Sequence, residues 1–211
     1  MIDLNDQIGA VARAVGERQI EGRPAKAVML AQTYPTDIDD LWDAVTSAKR
    51  IPRWMLPITG DHRLGGRYQL EGNAGGTITA CDPPHGFDAT WEYGDAMSWI
   101  EVRLTAIDDV HTQFELSHLA HPEEHWAQFG PGATGIGWDL SLVGLFLHVT
   151  RGGDRPPEAD RWTSTPEGVQ FMIASGQAWS EADIAGGEDP ATARASAERT
   201  IAAYTQPPTD D

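Results

Sequence analysis

The chain has 211 residues, 32 acidic and 15 basic, for a formal charge of -17. That sign repels phosphate and argues against nucleic acid or an anionic membrane surface as a partner, while the length suits one well-filled core with extensions. Cys81 is the only cysteine, so no intrachain disulfide can form and a reducing cytoplasm is the expected compartment.

Asp3 and Asp6 stand where a secretory leader would carry positive charge and an apolar run, so no signal peptide is expected. Leu4, Ile8, Val11 and Val15 recur at helical spacing between a capping Asp3 and Gly16, which predicts an N-terminal helix with one apolar stripe and assigns residues 1–24 to that helix and a linker. Ala25 to Tyr34 is strand-like and stops at Pro35, which has no N–H to give a ladder. Thr36 then caps a helix whose first turn holds Asp37, Asp39 and Asp40 and whose apolar face is Ile38, Leu41, Trp42 and Val45. Pro52 breaks the periodicity that follows and leaves Trp54 and Met55 as large apolar side chains at the mouth of a cavity.

Gly65-Gly66 opens a series of strands at Arg67–Glu71, Gly76–Cys81, Phe87–Tyr93, Ser98–Ile107 and Thr112–Ala120, whose short connections predict an antiparallel meander. Alternation puts Phe87, Ala89, Trp91 and Tyr93 on one face, and Thr112, Phe114, Leu116 and His118 on the matching face of the last strand. His118 therefore ends an apolar row and is the strongest single polar candidate. A short helix over Pro122–Phe129 and the interruption Gly130-Pro131-Gly132 precede a long helix from Ala133 to Val149 that is apolar nearly all round, as a helix buried on both sides would be. Its uncharged run, Leu140 to Val149, falls short of the ~20 residues of a membrane span, so no membrane insertion is expected. Gly137, Ser141, Gly144 and His148 share one face of that helix, either for close packing or as a cavity wall.

These residues carry a resemblance. Tyr34-Pro35-Thr36 with Leu41-Trp42, then Arg53-Trp54, Gly65-Gly66-Arg67, Asp82-Pro83-Pro84, Thr90-Trp91 and Gly137-Trp138-Asp139, in that order over Ala25 to Val149, resemble the START-like SRPBCC superfamily and within it the homologues of the activator of heat-shock protein 90 ATPase. The resemblance implies an α+β helix-grip fold over residues 25–150, a curved antiparallel sheet wrapped around a long C-terminal helix, often with a pocket for a hydrophobic molecule. It implies no universal catalytic set, since the superfamily includes lipid carriers, hormone receptors, polyketide cyclases and co-chaperones.

Residues 151–211 form a linker and a helical extension. Arg151 to Thr165 is rich in Gly, Pro and charge; Thr165-Pro166-Glu167 and Asp189-Pro190 each start a helix, with Val169, Met172, Ile173, Gly176 and Trp179 on one face and Ala193, Ala197, Ile201 and Tyr204 on the next. Gln206 to Asp211 reads as a frayed tail. These helices can dock on the grip domain, cap its cavity, or exchange between subunits and make a homodimer; docking is the expectation.

A small hydrophobic or aromatic ligand is the expected partner. Its site takes Trp54, Met55, Tyr68, Trp91, Tyr93, Phe114, His118, Gly137, Trp138, Ser141 and Gly144. The alternatives are a cyclase- or dehydratase-like enzyme, with His118 as general acid or base helped by Tyr68 or Tyr93, and a chaperone-ATPase-activator-like interaction module. His118, His121 and His125 with Glu123 and Glu124 lack the fixed helical pairing of a metal site, so no metal is assigned. No phosphate cradle or nucleophile elbow is present and no cofactor is implied; Cys81 has no adjacent base.

Overall fold

A computed structural model describes residues 4–153 and 159–206. After helix α1 (Leu4–Ala10), strands β1 (Ala12–Ile20) and β2 (Arg23–Tyr34) form a hairpin, followed by α2 (Ile38–Thr46) and a 3-10 turn at Ile51–Arg53. Strands β3 (Ile58–Gly60), β4 (Arg67–Leu70), β5 (Gly75–Asp82), β6 (Gly86–Tyr93), β7 (Ala96–Asp108) and β8 (His111–Ala120) precede helices α3 (Glu124–Phe129), α4 (Gly132–Arg151), α5 (Ala159–Trp162), α6 (Pro166–Ala185) and α7 (Pro190–Thr205). All eight strands form one antiparallel sheet in the order β1-β2-β8-β7-β6-β5-β4-β3, with register shifts in β5 and β7 of the kind that bend a sheet. The α+β helix-grip architecture is the one expected.

The predicted N-terminal helix is corrected in its second half. It ends at Ala10, and Ala12–Ile20 pairs with β2 along its full length. Residues four apart share a face in a strand as well as in a helix, because four is a multiple of the strand period; Val11 is buried and Val15 packs on the core in either geometry. The deciding local signal is Glu21-Gly22, both at positive φ (52° and 74°), as a two-residue type I′ turn requires. Short β3, hydrogen-bonded to β4, also escapes the sequence pattern.

Other local signals place the elements as expected, with small shifts. The α2 cap is Asp37, not Thr36: its carboxylate accepts from the Asp40 N–H at 2.9 Å, while Thr36 donates its hydroxyl to the Asp40 carboxylate. Thr165 and Asp189 cap α6 and α7. In β8 the predicted inward set, Thr112, Phe114, Leu116 and His118, is buried throughout. Residues 154–158 of the expected linker and 207–211 of the expected tail lie outside the described residues; Ala159–Trp162 of that linker is a helical turn.

Helix α4 has 20 residues and is apolar enough, by length and composition, to cross a membrane, so the shorter run read from the sequence understates it. In the fold this apolarity serves the interior: Ile136, Leu142 and Leu145 are fully buried in the core shared with Val28, Leu30, Leu41 and Met172. The terminal helices dock on the grip domain, α6 against α4, β1 and α1, and α7 against α6, α3 and α4.

That docking centres on a buried ion pair. Arg13 of β1 donates from Nε and Nη2 to the two carboxylate oxygens of Asp139 on α4, each at 3.0 Å, and both side chains are almost sealed from solvent. Ser175 and Trp179 of α6 donate to the same carboxylate, and Arg13 Nη1 donates to the Ile8 and Val11 carbonyls at 2.9 Å. Gly135 is required beside it, because a Cβ there would stand 2.2 Å from the Trp179 ring. Asp139→Ala is expected to cost roughly 3–5 kcal/mol in urea unfolding, since it strands the Arg13 charge in the interior. Arg13→Met with Asp139→Leu should lose much less than the two single changes summed, and a single-variant loss below about 1 kcal/mol would remove the pair from this role.

Candidate functional site

A cavity of about 1670 Å³ lies between α4 and the concave face of the sheet. Trp91 of β6, His118 of β8 and Trp138 of α4 form its centre, with the indole rings of Trp91 and Trp138 5.0 Å apart. Trp54 and Met55 enter from the segment after the 3-10 turn, where the Trp54 indole N–H is held by the Ala44 carbonyl at 2.9 Å. The cavity is open to solvent at the β6–β7 hairpin, where Tyr93 is 62% and Met97 49% exposed, and at the end of α4, where exposed Arg151, Gly152 and Gly153 also line it.

The small-residue seam of α4 serves both purposes read from it. A Cβ on Gly144 would stand 2.2 Å from the Trp54 carbonyl oxygen, so this glycine allows the helix to meet the Trp54 backbone. A Cβ on Gly137 would meet only the Tyr204 hydroxyl, at 3.5 Å, so this glycine faces open space. Ser141 adds little polarity, because its hydroxyl donates to the Gly137 carbonyl of its own helix at 3.0 Å.

Nine of the eleven residues assigned from the sequence line this space: Trp54, Met55, Trp91, Tyr93, His118, Gly137, Trp138, Ser141 and Gly144. Tyr68 and Phe114 do not. Tyr68 is a core residue whose hydroxyl donates to the Thr90 carbonyl at 2.7 Å, and burial pushes its phenol pKa up. Phe114 lies four residues along β8 from His118, where the concavity is already filled: its ring packs edge-on against Tyr34, which meets Phe146 of α4. Trp126, Trp162 and Tyr204 also line the cavity and were missed, because their aromatic rings sit on helices whose docking positions no local pattern encodes.

His118 is held neutral by its partners. Trp138 Nε1–H can only donate, and it does so to His118 Nδ1 at 3.0 Å. His118 Nε2 therefore carries the proton and donates to Ser98 Oγ at 2.8 Å, and Ser98 donates onward to the Trp91 carbonyl at 3.0 Å. Both ring nitrogens are engaged, and burial pushes the imidazole pKa down to about 4. The other histidines disperse: His121 donates to the Pro24 carbonyl at 2.8 Å and His125 meets the Phe129 ring at a tilt, 4.9 Å away. His148, on the small-residue face of α4, is neutral. It accepts from Arg50 Nε at 3.1 Å and donates to the Gly153 carbonyl, and burial lowers its pKa. Cys81 is exposed and outside the cavity.

Charged Arg53, Glu123, Arg151 and Glu167 also line the space, but its aromatic part is suited to shape-matched apolar contact and offers its guest no acid–base pair from His118. The histidine also sets a pH dependence. Its folded pKa of about 4 lies below the ~6.5 of an unfolded histidine, so the unfolded chain takes up a proton first. The stability tied to neutral His118 is complete above the unfolded value and is lost as pH falls from about 6.5 toward about 4, to a total of roughly 3 kcal/mol. His118→Gln should flatten that limb of a stability-against-pH curve, and an unchanged limb would show that the imidazole is not held this way.

The family profile described as Activator of Hsp90 ATPase homolog 1-like protein matches residues 35–146. The crystal structure of CalU16 from Micromonospora echinospora is 30% identical, covers 82% of this chain and 98% of that chain, and superposes with a TM-score of 0.66. Its solution structure gives 31% identity, 84% and 97% coverage and a TM-score of 0.71. Protein MLL2253 from Mesorhizobium loti, at 18% identity over 59% of this chain and 97% of its own with a TM-score of 0.53, shares the fold. No curated protein matches the chain. The matched span, the CalU16 likeness and a grip of eight strands around α4 establish that this chain belongs to the Activator of Hsp90 ATPase homolog 1-like family, a branch of the START-like SRPBCC superfamily.

Proposed function

We propose that the protein binds a small hydrophobic or aromatic molecule between the sheet and α4. The observation that carries this reading is the cavity: about 1670 Å³, against the ~300–1000 Å³ usual for a ligand site, with tryptophan on several walls and its central histidine already satisfied by protein partners. Burial of a ring against Trp91 or Trp138 gains apolar contact without displacing a needed hydrogen bond. A cyclase- or dehydratase-like reaction needs groups free to exchange protons with the substrate, and His118, its main residue, has both nitrogens committed. The chaperone-activator reading draws on the family description alone, and the size of the cavity favours a small-molecule guest over it.

Freshly purified protein analysed by native mass spectrometry is expected to carry a co-purifying compound that organic extraction releases. Gly137→Phe, which puts a ring into the space on this side of α4, should weaken binding of 8-anilinonaphthalene-1-sulfonate about ten-fold, or about 1.4 kcal/mol. An empty protein that also ignores the probe would refute the proposal.

A further inference from the structure

The family match ends at residue 146, yet part of the cavity wall comes from beyond it. Trp162 ends α5 and Tyr204 lies in the last turn of α7, and both line the cavity, Tyr204 beside Gly137. Each is fixed in place. The Trp162 ring lies 5.6 Å from that of Phe171, and its carbonyl accepts from the Thr165 N–H at 2.9 Å and hydroxyl at 2.6 Å. Gly168 comes so near this carbonyl that a Cβ would stand 2.1 Å from it, so the cap of α6 and the position of Trp162 are one structural unit. Tyr204 donates its hydroxyl to the Ala133 carbonyl of α4 at 2.8 Å, which pins the end of α7 across the open flank of Gly137.

We propose that Trp162 and Tyr204 are specificity-determining residues: two fixed aromatic rings, supplied by the C-terminal extension, that limit the length of apolar guest the cavity admits. The proposal rests on the binding reading above. A grip domain without these rings has its sheet, its α4 and its central Trp91–Trp138 contact, but lacks the walls that they supply. Discrimination by such a wall is steric, so it acts on guest length and leaves short guests indifferent to it.

The test is displacement of 8-anilinonaphthalene-1-sulfonate by octanoate, laurate and stearate from the full chain and from Trp162→Ala and Tyr204→Ala. Each variant is expected to shift the stearate-to-octanoate affinity ratio toward stearate by roughly ten-fold, the scale on which an apolar pocket senses a few methylenes. Tyr204→Phe and Trp162→Phe keep a ring with less contact and should shift it less; they serve in place of any alanine variant that fails to fold. A ratio unchanged in every folded variant, or all three acids weakened alike, would assign these rings to packing alone and overturn the inference while the binding site stands. Failure of the unmodified chain to bind the probe and all three acids would instead remove the binding reading, and this inference with it.

Discussion

Asp139 carries a carboxylate into the interior, and a charge there persists only when its oxygens are engaged and a counter-charge is close. Arg13, Ser175 and Trp179 meet that demand from β1 and α6, and Arg13 in turn satisfies two carbonyls at the end of α1. The consequence is rotational. With Asp139 fixed toward β1 and α6, its neighbour Trp138 is turned by about 100° of helix toward the sheet, where its indole meets His118. Helix α4 therefore has one azimuth, and the cavity depends on it.

The second constraint is spacing. A helix this apolar would close on the sheet if its side chains allowed it, and over Phe114, Tyr34 and Phe146 it does. Further along, the bulk comes from the large rings of Trp91 and Trp138, which prop the layers apart, while Gly137 has no side chain to fill what they leave. At Gly144 the missing side chain has the opposite use and admits the Trp54 backbone. Two glycines seven residues apart on one face thus serve separation and contact respectively, and only the partner across from each decides which.

The polar groups follow the same logic. His118 has the residue type of a proton-transfer group, but donation from Trp138 and acceptance by Ser98 consume both nitrogens and burial disfavours the charged form. What remains at the cavity centre is an aromatic surface with its polar edges turned inward upon the protein. Such a surface recognises shape and apolar area, which is why the C-terminal rings acquire importance as boundaries.

Much of this was legible in the chain, and for a local reason. Alternation through Phe87–Tyr93 and Thr112–His118, the Thr165-Pro166 and Asp189-Pro190 starts, and the apolar helix after Gly132 are patterns of period, cap and breaker within a few residues of one another, so the sequence alone determined the meander, the gripped helix and the inward turn of His118. Val11 and Val15 did not decide between strand and helix, because their spacing satisfies both periods. Only the tertiary structure could join Arg13 to Asp139 across 126 positions, bring Tyr204 over Gly137, seal Tyr68 and Phe114 into the core, and leave the space beside Trp138 open. Those outcomes turn on which distant side chain arrives opposite, and a residue's own neighbours in the chain carry no record of it.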